Sequence, residues 1–116
     1  MITIYKRFTF EAAHWLPNVE EGHQCGRMHG HSYKVTVGVS GSVDPVSGWI
    51  LDLACVKAAV KPVIESLDHR VLNEVGIPNP TVENLAIWFY TQLKDALPVC
   101  SVEVEETETS RCVYVV

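Results

Sequence analysis

From Ile2 onward, apolar side chains fall on alternate positions, Ile2, Ile4, Phe8, Phe10 and Ala12, with Lys6 the exception and His14 in the same phase. Residues two apart on a strand share a face, so the spacing predicts a half-buried β-strand over 2–15. A second such segment over 30–42 carries Tyr33, Val35, Val37 and Val39 on one face, in line with His29 and His31. Ser32, Lys34, Thr36 and Ser40 take the other face. Pro17, Gly22 and Gly26 mark the connecting loop, and Ser42 to Gly48 reads as a turn cluster. The period then changes. Asp52 is placed to cap a helix in which Leu53, Val56, Val60, Val63 and Leu67 recur at helical spacing, and Pro62 predicts a kink or an early stop. A second helix starts near Asn79-Pro80-Thr81, capped by Asn79 or Thr81, with Val82, Leu85, Phe89 and Leu93 on its apolar face. Val99 to Thr107 and Arg111 to Val116 alternate again, as a closing hairpin around Glu108. The order strand, strand, helix, helix, strand, strand describes one α+β domain over 1–116.

Composition narrows the partners. The chain has 116 residues, 47% of them apolar, enough for one modest core. A net charge of −5 and the lack of a Lys/Arg run argue against nucleic acid or an anionic membrane as the main partner. No stretch approaches the roughly 18 apolar residues of a membrane span. The N-terminus, Met-Ile-Thr-Ile-Tyr-Lys-Arg, lacks a signal-peptide plan, so the expected location is the cytoplasm. Cys25, Cys55, Cys100 and Cys112 show no disulfide framework; the last three are expected to be buried packing thiols.

The chemistry concentrates in Cys25-Gly-Arg-Met-His29-Gly-His31 and in His14. One histidine alone is more often a hydrogen-bonded imidazole than a ligand. Three in phase on two strands can converge on one interior point, and neutral imidazoles suit Zn2+, with three protein ligands leaving a fourth position for water or substrate. A closed Cys25-His-His-His structural site competes with this reading, weakened by the missing Cys-x-x-Cys knuckle. His23, out of phase in its loop, is expected to be solvated. Near a cation the Cys25 thiol would gain thiolate character. Glu106 ends the apolar stripe of Cys100, Val102 and Val104. Its carboxylate therefore either meets a donor-rich partner at a pocket mouth, such as the paired N–H edge of a heterocycle, or lies beyond the strand in solvent. Asp68-His69 at the end of the first helix is by itself a structural pair, and gains interest as a proton relay. Neighbours on a helix point apart, so if both act, one is expected to serve a site across a subunit boundary.

Together Phe10-Glu-Ala-Ala-His14, Cys25-Gly-Arg-Met-His29-Gly-His31, Gly48-Trp-Ile-Leu-Asp52, Leu67-Asp68-His69, Asn79-Pro-Thr81-Val-Glu83 and Glu105-Glu106-Thr107 resemble, in order, the 6-pyruvoyltetrahydropterin synthase family. The resemblance spans nearly the whole chain. It implies a T-fold: a four-stranded antiparallel sheet with two helices between strands 2 and 3, trimers closing into a barrel and commonly pairing as hexamers. It implies zinc ligands at His14, His29 and His31, a catalytic thiol at Cys25, an Asp-His pair at Asp68 and His69, and a pterin-anchoring carboxylate at Glu106. Three residues separate Cys25 from His29, a compact spacing that resembles the carboxy-forming members; pyruvoyl-forming members usually carry a longer insertion. The implied reaction is conversion of 7,8-dihydroneopterin triphosphate to 6-carboxy-5,6,7,8-tetrahydropterin, acetaldehyde and triphosphate, an early step toward queuosine. Two other readings stand beside it, the pyruvoyl-forming elimination and an idle zinc- or pterin-binding module.

Overall fold

A computed structural model describes residues 1–116. Strand β1 spans Ile2–His14 and β2 spans His29–Gly41, antiparallel and paired along their whole length. Helix α1 covers Leu53–Glu65, β3 is the two-residue strand Arg70–Val71, and helix α2 covers Val82–Leu93. The chain closes with β4, Val99–Thr107, and β5, Ser110–Val115. No helix is long and apolar enough to cross a membrane.

The sheet order is β3-β1-β2-β4-β5. It is therefore five-stranded and mixed, where four antiparallel strands were expected. The addition is β3, which pairs in parallel with Ala12 and Ala13 only. Two residues leave no period to read. The local cause is a turn after α1 in which His69 takes a positive φ of 59° and donates its backbone N–H to Glu11 O, drawing the next two residues onto the edge of β1.

Both helices cover one face of the sheet, α1 against β1 and α2 against β4 and β5. Phe10, Tyr33, Val35, Val37, Val102 and Val104 from the strands meet Val56, Val60, Leu85 and Phe89 from the helices in one core. The Asp52 carboxylate caps α1 by accepting from Ala54 N at 2.8 Å. Thr81, not Asn79, caps α2, its hydroxyl accepting from Asn84 N at 3.1 Å. Pro62 lies inside α1, and the helix ends three residues later, at Glu65.

Two expectations about thiols change. Cys55 is exposed because it lies one residue, about 100° of helical turn, from the buried Val56. Cys100 leaves the stripe of Val102 and Val104, because a bulge sets Val99 opposite Val39. Its sulfur lies 4.0 Å from Thr3 Oγ1, on the face away from the helices.

Candidate metal centre

The β1–β2 ladder places His14 opposite His29 and Ala12 opposite His31, so all three imidazoles point to the core side at one end of the sheet. One nitrogen from each lies within 4.8 Å of the others. Ring orientation is fixed from behind. His14 Nδ1 is 2.8 Å from Pro80 O, and His29 Nδ1 is 2.7 Å from Arg27 O. A carbonyl only accepts, so Nδ1 carries the proton in both rings and Nε2 offers a lone pair.

The consequence is electrostatic. His14 Nε2 and His29 Nε2 stand 3.0 Å apart, two acceptors facing each other with no proton to share. His31 Nε2 is buried and has no hydrogen-bond partner. A divalent cation resolves both problems at once. Two nitrogens each about 2.0–2.1 Å from a tetrahedral zinc stand about 3.4 Å apart, so a small rotation of the rings admits one. Backbone carbonyls holding the outer nitrogens are the usual support of such ligands.

Burial pushes the His14 pKa down, opposed by the Pro80 hydrogen bond and by Glu106, with His29 and His31 adding to the fall. His14 is 2% exposed and stays neutral, the form a metal requires. Glu106 ends β4 with Oε2 at 3.9 Å from His14 Nε2 and 3.8 Å from His31 Nε2. With His14 neutral, its approach to Glu106 is a carboxylate facing a ligand cluster rather than an ion pair. Tyr33 stacks on Phe10 at 4.9 Å, and its hydroxyl lies 3.2 Å from His14 Nδ1. Burial, reinforced by Glu106, raises the Tyr33 phenol so far that it remains protonated.

Asp68 and His69 lie beyond α1, in the turn, and the left-handed backbone at His69 brings its Nδ1 to 3.1 Å from Asp68 Oδ1. Helix geometry, which would have splayed the two side chains, does not apply. Glu11 anchors the pair: its N–H donates to Asp68 Oδ1 at 2.9 Å and its carbonyl accepts from His69 N. The Glu11 N–H, with His69 second, holds the Asp68 carboxyl below the usual range. A non-glycine residue at positive φ is strained, and such strain gathers at functional sites. His69 and His31 line one cavity of about 710 Å3, together with Glu11, Gly30, Arg70 and Glu74. Asp68 lines an adjoining hollow with Glu11 and His69.

Cys25 lines neither of these cavities. It sits in a single 3-10 turn, Gln24–Gly26, with its carbonyl accepting from Leu16 N at 2.8 Å. His23 is exposed, as expected, and its ring also accepts the Cys25 N–H at Nδ1, 3.0 Å away, a contact the sequence did not reveal. One supporting residue was missed altogether. The Asn73 side chain donates to Trp15 O at 2.8 Å and accepts from Trp15 N at 3.1 Å, imitating a strand partner next to His14. An isolated amide carries no periodic signal that could have found it.

A helix-backed sheet with three converging histidines at one end defines an α+β protein with a candidate metal site and the T-fold order of strands and helices. Residues 3–115 match the profile of 6-pyruvoyl tetrahydropterin synthase, and the chain belongs to that family. A Synechocystis relative, 6-carboxy-5,6,7,8-tetrahydropterin synthase, is 41% identical over 98% of this chain and 93% of its own. The Homo sapiens 6-pyruvoyl tetrahydrobiopterin synthase is 32% identical over 96% of this chain and 89% of its own. The solved structure of Caenorhabditis elegans 6-pyruvoyl tetrahydropterin synthase superposes with a TM-score of 0.90 at 29% identity, covering 99% of this chain and 95% of that one.

Proposed function

We propose that the protein is a zinc-dependent lyase that converts 7,8-dihydroneopterin triphosphate to 6-carboxy-5,6,7,8-tetrahydropterin, acetaldehyde and triphosphate, on the route to queuosine. The observation that carries this reading is the convergence of three imidazole Nε2 atoms beside the Glu106 carboxylate. The 41% identity to the Synechocystis carboxy-forming enzyme and the short Cys25–His29 spacing favour the carboxy product over the pyruvoyl one.

His14, His29 and His31 hold the metal, which supplies Lewis acidity toward oxygens of the substrate side chain. Glu106 accepts two parallel N–H groups from the 2-amino and N3 edge of the pterin. The Cys25 thiolate removes a proton from the activated carbon, and His69, oriented by Asp68, returns protons. Cys25 and the Asp68–His69 pair meet across a subunit boundary. The outer edge of β1 is paired only at Ala12 and Ala13, and β5 forms the opposite edge of the sheet. Such edges invite strand pairing, which supports a trimer or a pair of trimers closed into a barrel. The reducing cytoplasm would keep Cys25 a thiol.

Mass spectrometry of the products from zinc-loaded protein and 7,8-dihydroneopterin triphosphate, with acetaldehyde assayed in parallel, tests the assignment. Carboxytetrahydropterin with acetaldehyde is the expected result. A pyruvoyl product moves the chain to the sister activity, and no turnover in metal-replete protein leaves a binding module.

A further inference from the structure

We infer that His23 is a positioning residue for Cys25, its imidazole serving as the cap that fixes the backbone from which the thiol projects. The inference deepens the role proposed for Cys25 and rests on it.

Both backbone polar groups of Cys25 are held, and by different parts of the chain. Its N–H donates to His23 Nδ1 at 3.0 Å. Its carbonyl accepts from Leu16 N at 2.8 Å, and Leu16 follows the ligand His14 by two residues. The thiol is thereby referenced to the metal centre through a short backbone path on one side and through the His23 ring on the other. His23 is itself secured, its N–H donating to Glu20 O at 3.0 Å and its carbonyl accepting from Gly26 N at 3.0 Å. Its φ of −66° and ψ of 134° are the extended values of a capping residue.

The choice of residue carries information. Caps are ordinarily Ser, Thr, Asp or Asn, whose short side chains reach the free N–H groups of the turn. An imidazole does the same here only with Nδ1 unprotonated, so its proton sits on Nε2, the opposite arrangement from His14 and His29. No residue of Gln24–Gly26 is fully buried, Cys25 being partly covered. The turn is fixed by these hydrogen bonds, so removal of the cap frees Cys25 to wander. A displacement of about 1 Å at a reacting group can cost on the order of a hundredfold in rate.

The test compares full-length zinc-loaded His23→Ala and His23→Asn with the parent. Steady-state kinetics with 7,8-dihydroneopterin triphosphate should show kcat about ten- to a hundredfold lower for His23→Ala with KM little changed. His23→Asn, which retains an acceptor at the cap, should recover most of that loss. A second readout needs no turnover: alkylation of Cys25 by iodoacetamide, located by peptide mass spectrometry. The rate should rise in His23→Ala and return toward the parent value in His23→Asn, with zinc content equal in all three. Parent-like kcat and alkylation in His23→Ala overturn the inference. Equal impairment of both variants overturns it too, because the ring would then matter for something other than capping. If the parent itself does not turn over, the functional reading fails, while the alkylation series still decides the role of His23.

Discussion

Removing the metal should lower the unfolding midpoint by roughly 8–16 °C. At a free-metal concentration about a hundredfold above Kd, a ligand that binds only the folded state contributes about 2.7 kcal/mol. For a domain of 116 residues each kcal/mol moves the midpoint by roughly 3–6 °C. The structure gives a reason for the metal-free state to be the weaker one. It leaves His14 Nε2 and His29 Nε2 facing each other at 3.0 Å and His31 Nε2 buried without a hydrogen-bond partner. Thermal melts with and without a chelator, at fixed protein concentration, measure the shift. His29→Ala removes one ligand from the more exposed side of the cluster and should abolish the chelator response while the fold survives. A parent midpoint that moves by less than about 2 °C, or a His29→Ala protein that keeps the full response, would refute the assignment of these residues as a metal site.

Asn73→Ala deletes both hydrogen bonds to Trp15 and should cost about 1–3 kcal/mol in urea unfolding, so a loss under about 0.5 kcal/mol would mean that the mimicked strand partner is idle. Thr81→Ala uncaps α2 and should cost about 1 kcal/mol, whereas Asn79→Ala should cost less; the reverse ranking rejects the assigned cap. Asp68 supplies a pH signature. Its carboxyl is lowered from 3.8 in the folded state, so the stability it contributes is complete above that value and is lost as pH falls through the lowered one. The gap between the parent and Asp68→Asn should therefore be constant near neutrality and close in acid; a gap that widens toward low pH has the wrong sign.

Period-2 and period-3.6 patterns were enough to locate β1, β2, α1, α2 and the closing hairpin, because each buries one face against the same core. The phase of His14, His29 and His31 with that face is why the cluster could be placed before any coordinates. What the pattern missed obeys other rules. The short strand β3 depends on a left-handed His69 and a hydrogen bond to Glu11, neither of which alters the distribution of apolar residues. Cys100 moved to the opposite face because one bulge between Gly38 and Val39 resets the alternation beyond it. His23 is exposed, as its loop position suggested, but phase carries no information about the contacts a loop side chain makes. Its role is a hydrogen bond across two residues. Asp68 and His69 were read on helical geometry, and became neighbours in space only because the helix ends at Glu65.

All three histidines of the candidate metal site come from one antiparallel hairpin, whereas Cys25 rides on the connection between its strands. The ladder runs unbroken from the Ile2–Gly41 pair to the His14–His29 pair, so the ligands are indexed by register and not by the path of the loop. Connections of this kind lengthen at low entropic cost. Insertions between residues 15 and 28 could thus re-aim or exchange the proposed acid–base group while leaving the three histidines where they are. The histidine cluster and the connection that carries Cys25 are encoded in separable parts of the chain, and one can change in length without moving the other.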